Sequence, residues 1–568
     1  MNKRSVAWIT IFVLLLILSS CGSEPDPDPT SLDAFYSTRD ENQPDPVVPD
    51  ELIVFGPSDQ IDQLLTLTEF TRVAAAPKAS INQEYVLINI GNLTVEDALE
   101  QIQTVVIEAN LVDINSGKNY LMAAPWDVEG TPWDVEGTPW DVEGTFSDGN
   151  QPDVDGDSNE SEGFVLKYPV SSGSTETVNH DLPWQHWAFQ KGGPIESGIP
   201  FGIHLFEGDG TRTVTETGEG IRVIIYDTSP FTETGMITPQ GLTTAIEVRN
   251  AGTVLPDVDL ANTDNYTHTV EHGLFVAGLV HFVAPDAEIE LVKVLNNQGV
   301  GNLYTLTTEL EQLLIDNTGT EGNVDLNNVV INLSLGFHPE AIGVAVDEEF
   351  SNDVIVNEFH EQLKAISEAG AVIVSAAGNH SSEFLPENSV QSILESAPNY
   401  SDAFTIEKQV ATMNPMFPAR WEESVSVSGY SRGQLACFSN ADENSIMAPS
   451  GNGYQGNPQP AEDGGKPVVS VCQSPREVCE NLGLDYNCQY SMVSITTRGF
   501  GQWVGTSFGT PIVSGITALV LEKCNQDELL SAENVRTFLF EQYTEADQGP
   551  PNRLDINRIL NIKGCPSG

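Results

Sequence analysis

Gly505-Thr506-Ser507-Phe508-Gly509-Thr510-Pro511-Ile512-Val513-Ser514-Gly515 sets a serine among small residues at a turn, directly ahead of an apolar helical pattern from Ile512 to Leu521. A serine at a helix N-terminus has an exposed oxygen, backbone N–H groups pointing at the reacting centre, and the positive end of the macrodipole to favour developing negative charge. The same string would serve as an ordinary Gly-Thr-Ser cap. Its reading as a nucleophile therefore depends on what stands upstream.

A serine hydroxyl is a poor nucleophile at neutral pH unless an imidazole takes its proton and a carboxylate holds that imidazole in the right tautomer. Ile221-Arg222-Val223-Ile224-Ile225-Tyr226-Asp227-Thr228-Ser229 reads as a buried parallel strand ending in an aspartate, and open α/β sheets place their sites at that end. His272-Gly273-Leu274-Phe275-Val276-Ala277-Gly278 opens a helix with a histidine, and a second strand follows from Ile289 to Leu295. The chain order is Asp, His, Ser. Farther on, Val356, Phe359, Leu363 and Ile366 make one helix face before the buried strand Ala371 to Ser375, which is the rhythm of a parallel α/β sheet.

With these residues in order, the chain resembles the subtilisin-like serine proteases (subtilases) from about Leu182 to about Glu522. The shared blocks are Asp227-Thr228, His272 to Gly278, Val283-Ala284-Pro285, Val292 to Leu295, Ile331 to Gly336, Ala376-Ala377-Gly378-Asn379, Phe417 to Arg420, Met447-Ala448-Pro449 and Gly505 to Pro511. The resemblance implies a doubly wound, mainly parallel sheet flanked by helices. It implies Ser507 as acyl-forming nucleophile, His272 as general base and then acid, Asp227 as orienting carboxylate, and Asn379 as side-chain donor of the oxyanion hole. It also implies that Ser334, Leu335 and Gly336 pair with a polypeptide substrate bound as an extended strand, with Ala377 and Gly378 on the opposite wall of the first pocket. No cofactor is implied for catalysis. Structural calcium is, from a family habit of carboxylate, Asn and carbonyl ligands.

The chain departs from the family at Ser229, where glycine usually follows Asp-Thr, at Glu271, where glycine commonly precedes the histidine, and at Leu274-Phe275, where Thr-His is common. A catalytically silent surface binding protein of the same fold is one alternative, which the intact set Asp227, His272, Asn379 and Ser507 opposes. An acid-active serine-carboxyl protease is another, and His272 with Asn379 opposes it.

The 568 residues carry 82 acidic against 24 basic side chains, a formal charge of −58, so a nucleic-acid partner is excluded. Lys3 and Arg4 precede an apolar run from Val6 to Leu18, too short to span a bilayer but suited to a signal-peptide core over residues 1–20. Leu18-Ser19-Ser20-Cys21-Gly22 resembles the bacterial lipoprotein processing box, which implies an acylated Cys21 and an exported, membrane-anchored chain. Residues 21–50, rich in Pro, Asp, Ser and Glu, read as a disordered tether.

Residues 51–124 read as a small α+β unit, with strands at Leu52 to Phe55 and Tyr85 to Ile90 and helices near Ile61 to Thr68 and Val95 to Ile107. In a subtilase this position resembles an inhibitory prodomain. Pro125-Trp126-Asp127-Val128-Glu129-Gly130-Thr131 recurs at Pro132 and Pro139, and each copy holds a proline and a glycine, so residues 125–181 form an acidic linker and not a coiled coil. The catalytic domain is expected over residues 182–568. Two insertions interrupt it, His380 to Met413 and Gly451 to Met492. Cys437, Cys472, Cys479, Cys488, Cys524 and Cys565 make an even number in an exported chain and point to disulfides, with Cys524 and Cys565 as one candidate pair. Zinc is the competing reading, although no Cys-x-x-Cys pair or nearby histidine stands among Cys472, Cys479 and Cys488.

Overall fold

The computed structural model describes residues 47–78, 83–123, 189, 202–207, 210–239, 242, 244–257, 268–320, 322–337, 353–379, 414–431, 434–436, 439–450, 468–471, 500–503, 505–524, 531–544, 554 and 556–561. The signal core, Cys21, the repeats, the insertion His380 to Met413 and all cysteine candidates except Cys524 lie outside them.

The larger unit is built on a parallel sheet whose innermost strands carry apolar residues on both faces. Its central members are β5 (Arg222–Asp227), β7 (Ile246–Asn250), β8 (Glu288–Lys293), β10 (Val329–Leu333), β11 (Val372–Ala376) and β12 (Ser424–Ser431). They pair parallel in the order β12-β11-β10-β5-β8-β7, extended by β6 (Gly235–Ile237), β13 (Gln434–Leu435) and β14 (Ile446–Pro449). In β5, Val223 and Ile225 enter one hydrophobic core while Ile224 and Tyr226 enter another. Alternation of this kind requires helices on both faces, and each fully buried aliphatic side chain contributes roughly 1.5–3 kcal/mol. The first core is covered by α3 (His272–Val283), α6 (Thr506–Cys524), α7 (Ala532–Thr544) and α8 (Ile556–Asn561); the second by α4 (Leu303–Asp316) and α5 (Val354–Glu368). Val356, Phe359, Leu363 and Ile366 of α5 are all buried, as their spacing predicts.

The chain winds from β5 toward β8 and β7, then crosses to β10 on the other side of β5. That reversal opens a crevice at the carboxyl ends of β5 and β10. Helices α3 and α6 approach closely at the far end of α3 from His272: a Cβ on Gly515 would stand 2.6 Å from the Cβ of Val283.

The N-terminal module is a sheet ordered β2-β3-β1-β4, from β1 (Val47–Pro57), β2 (Thr71–Pro77), β3 (Gln83–Asn89) and β4 (Asn115–Ala123), with α1 (Ser58–Thr68) and α2 (Val95–Glu108). Strand β1 begins at Val47, inside the stretch that reads as tether from its composition. The module packs on α4 and α5. Glu358 accepts hydrogen bonds from Tyr85 Oη (2.8 Å) and from Lys78 Nζ, Asp353 from Tyr120 Oη (3.0 Å), and Asn119 from the Tyr304 N–H (3.1 Å). Burial raises the Asp353 pKa, opposed by its bonds from the Ile355 N–H, the Tyr120 hydroxyl and the Val356 N–H. The sheet then continues into the larger unit: β4 pairs antiparallel with β9 (Val300–Asn302), setting Leu121 opposite Asn302 and Ala123 opposite Val300. The remaining strands, β15 (Val468–Val471) and β16 (Phe500–Trp503), form a separate antiparallel pair.

One buried group gives the fold a pH dependence. Burial pushes the His281 imidazole on α3 down from its ordinary 6.5 to about 4, with Asp286 opposing. Between these values the unfolded chain binds a proton that the folded chain refuses. Stability is therefore full above pH 6.5 and falls as the pH drops toward 4, by up to about 3 kcal/mol. Denaturant titrations of the Ser507→Ala chain at neutral pH and at about pH 4.5 should show this loss, and His281→Gln should reduce it. An undiminished loss in His281→Gln would remove the assignment.

Candidate active site

Asp227 ends β5 and is fully buried, as is His272 at the first position of α3. His272 Nδ1 lies 2.8 Å from Asp227 Oδ1 and 2.9 Å from Oδ2. With the carboxylate ionised, Nδ1 carries the proton and Nε2 is left with its lone pair, the tautomer a general base needs. The neighbouring Thr228 fixes the corner. Its backbone N–H donates to Asp227 Oδ1 (2.6 Å), its hydroxyl donates to the Val270 carbonyl (3.1 Å), and the Gly273 N–H donates to that hydroxyl (3.1 Å). A Cβ on Gly273 would collide with the Thr228 carbonyl oxygen, so the glycine after the histidine is sterically required.

Ser507 lies within the first turn of α6, not ahead of the helix, and is fully buried. Its Oγ makes no hydrogen bond among the described residues. Leaving a buried hydroxyl unsatisfied costs roughly 1–3 kcal/mol, which a fold tolerates mainly where the group has work to do. The adjacent Phe508 packs its ring at 5.3 Å from the His272 imidazole and at 4.7 Å from Phe275, tying the start of α6 to the start of α3.

Asn379 follows β11. Its Oδ1 accepts from the Thr506 N–H and from the Thr506 hydroxyl, both at 2.9 Å. A backbone N–H can only donate, so the oxygen end of the amide faces Thr506 and the NH2 end is directed away from it. The Thr506 hydroxyl also accepts from the Gly378 N–H at 3.1 Å. Thr506 thus clamps both Asn379 and Gly378. It stands in plain view within Gly505-Thr506-Ser507, but nothing in that string distinguishes a clamp from a cap.

Ser334, Leu335 and Gly336 leave the carboxyl end of β10. Gly336 exchanges two main-chain hydrogen bonds with Ala123: the Ala123 N–H donates to the Gly336 carbonyl (3.2 Å) and the Gly336 N–H to the Ala123 carbonyl (2.9 Å). The end of β4 is therefore held between β9 and Gly336 as an added strand, with Met122 and Ala123 fully buried. Ala377 and Gly378 directly follow β11, where the Ala377 carbonyl accepts from the Met416 N–H (2.9 Å). Of the departures, the Ser229 hydroxyl accepts from the Phe231 N–H (3.2 Å), and Glu271 is fully buried in the short 3-10 turn His268–Glu271 before α3. Among the described residues no group of three or more His, Cys, Asp or Glu is placed to hold a metal ion. Cys524, at the end of α6, is disulfide-bonded.

Residues 220–555, more than half of the chain, match the peptidase S8 model of the subtilase family. No curated protein matches the chain. Similar solved structures include fervidolysin from Fervidobacterium pennivorans, a keratinolytic enzyme related to subtilisin, at 14% identity and TM-score 0.48 over 91% of this chain. The chain spans 61% of the fervidolysin chain. Others are a lanthipeptide protease (16% identity, TM-score 0.37, 61% of this chain and 89% of that one) and the nisin leader peptidase NisP from Lactococcus lactis (18%, 0.35, 61% and 88%).

Proposed function

This chain belongs to the subtilase family of serine proteases, and we propose that it is an exported endopeptidase made as a zymogen, working through Asp227, His272 and Ser507. The observation that carries the reading is the two-oxygen contact of Asp227 with His272 Nδ1 at the sheet's switch point, beside a helix whose first turn holds Ser507. Ser507 Oγ attacks the peptide carbonyl while His272 Nε2 takes its proton. The Asn379 amide NH2 and the Ser507 N–H receive the oxyanion, the tetrahedral intermediate expels the amine with the proton from His272, and water repeats the sequence on the acyl group. Asp227 stabilises the imidazolium that forms in each half. Reaction of Ser507 with a fluorophosphonate, absent in Ser507→Ala, tests this reading. Wild-type protein that is folded yet never labelled would favour a silent binding protein of the same fold.

The module over residues 47–123 is proposed as the inhibitory prodomain, because its last strand lies where a substrate strand would pair. With Cys21 acylated, the lipid sits on the module's side of the linker. A cut after Ala123 and before Leu182 then separates the anchor from the protease. Fractionation with antibodies to each half should find the module in the membrane pellet and the catalytic unit in the medium. Active full-length protein confined to the membrane would refute release while leaving the protease reading intact.

Cys565 is proposed as the partner of Cys524. Helix α8, four residues short of Cys565, packs on α6. Closing a loop of about forty residues contributes roughly 3–4 kcal/mol on the chain-entropy model. Non-reducing peptide mapping should recover the pair, and Cys565→Ser should lower the Tm; a Cys524 peptide linked to another cysteine would redirect the assignment.

A further inference from the structure

Ser507 and Pro511 stand four residues apart in α6, and in an α-helix the N–H of the later residue donates to the carbonyl of the earlier. Pro511 has no N–H. The Ser507 carbonyl is therefore deprived of its helical partner in a place that is fully buried, where an unmet carbonyl is costly. The missing donor is supplied from another element: Ser334 Oγ donates to the Ser507 carbonyl at 2.9 Å. Ser334 is itself fixed, since Asn332 Nδ2 donates to its Oγ (3.0 Å), and Asn332 Oδ1 accepts from Ser514 Oγ (3.0 Å), two turns along α6. Ser334, Asn332, Ser507 and Ser514 are all fully buried. A connected set of this kind holds its members more rigidly than the separate bonds would.

We propose that the Ser334 hydroxyl is a positioning residue for the nucleophile: it replaces the main-chain bond that Pro511 removes and so fixes the Ser507 peptide group. The proposal rests on Ser507 being the nucleophile and adds a role to Ser334 distinct from its backbone's pairing with substrate. Without the hydroxyl, the Ser507 carbonyl can rotate toward other donors, and the rotation carries Ser507 Oγ away from His272. Proline persists in the helix because β10 delivers a donor from outside, and a donor from outside couples the strand that receives substrate to the residue that attacks it.

The geometry makes a compensation test possible in the full-length chain. Ser334→Ala should lower kcat by on the order of tenfold to a hundredfold, the usual cost of a misplaced reacting group, with KM within about twofold. The fluorophosphonate labelling rate should fall in parallel. Adding Pro511→Ala to Ser334→Ala returns an N–H to the helix and should recover most of the lost kcat, although it restores nothing at residue 334. A purely structural role for Ser334 would move the Tm without this recovery, and a role in substrate binding would move KM. If Ser334→Ala does not accumulate as folded protein, the double variant still decides: recovery of fold and labelling supports the compensation, and absence of recovery overturns it. Equal labelling rates in wild type and Ser334→Ala would also overturn it. Wild type that is never labelled would instead defeat the assignment of Ser507.

Discussion

Ser507→Ala will lower kcat/KM for peptide hydrolysis by about 10⁴- to 10⁶-fold, and His272→Ala by a similar factor, with the two losses far from additive in the double variant. Losses of this size accompany removal of one member from triads of this type. The physical reason for non-additivity is visible in the site. In the proposed triad the Asp227 carboxylate, in contact with His272 Nδ1, holds and charge-balances the imidazole, and His272 moves the Ser507 proton, so removing either partner idles the other. What is expected to survive in each variant is the contribution of the proposed oxyanion donors, the Asn379 amide and the Ser507 N–H, on the order of 10³-fold over water. Folding should be largely retained, because Ser507→Ala removes a hydroxyl that makes no hydrogen bond among the described residues. The outcome that would sink the triad is residual hydrolysis in Ser507→Ala within about a hundredfold of wild type, at a rate that a fluorophosphonate still abolishes.

The parts of this molecule that could be read from sequence are those where one physical requirement dictates one pattern. Strand β5 is buried on both faces, so its residues run apolar without alternation until Asp227. Helix α5 buries one stripe, so Val356, Phe359, Leu363 and Ile366 recur at helical spacing. The order of aspartate, histidine and serine is legible for the same reason, since each stands at the end of such an element. Strand β9 is not, because three residues containing Gly301 have little strand character until β4 arrives to pair with them. The start of α6 is hidden for a related reason. Proline ordinarily marks a helix boundary, which makes Ile512 look like the first helical residue, whereas the helix begins at Thr506, with the Ser507 carbonyl accepting from the Ser334 hydroxyl more than 170 residues away in sequence. Thr506 and Thr228 are likewise silent: a small hydroxyl residue beside a catalytic one reads as a turn until its partners Asn379, Gly378, Val270 and Gly273 are in place.

Met122→Ala should open the cleft. Met122 is fully buried between β9 and the core shared by the module and the catalytic unit, where its Cε lies 3.3 Å from the position a Cβ on Gly301 would take. Truncating a buried methionine costs about 2–5 kcal/mol, and when the end of β4 leaves the cleft the side chain enters water. The seated state alone bears that cost. At about 1.4 kcal/mol per factor of ten, the unseated fraction rises by roughly thirtyfold to several thousandfold. A peptide that binds only the unseated chain has an apparent Kd raised by the reciprocal of that fraction, so the substitution should tighten it correspondingly until the intrinsic affinity is reached. The measurement belongs in the Ser507→Ala background, where no cut can remove the module, using titration of a labelled extended peptide. Leu67→Ala, an exposed change on the same module, should leave the Kd where it was. Tightening of at least about tenfold with Met122→Ala and none with Leu67→Ala is the expected pair of results. An unchanged Kd for Met122→Ala would mean that the strand held by Gly336 does not compete with substrate, and that the module restrains the enzyme, if at all, through its contacts on α4 and α5 rather than through the cleft.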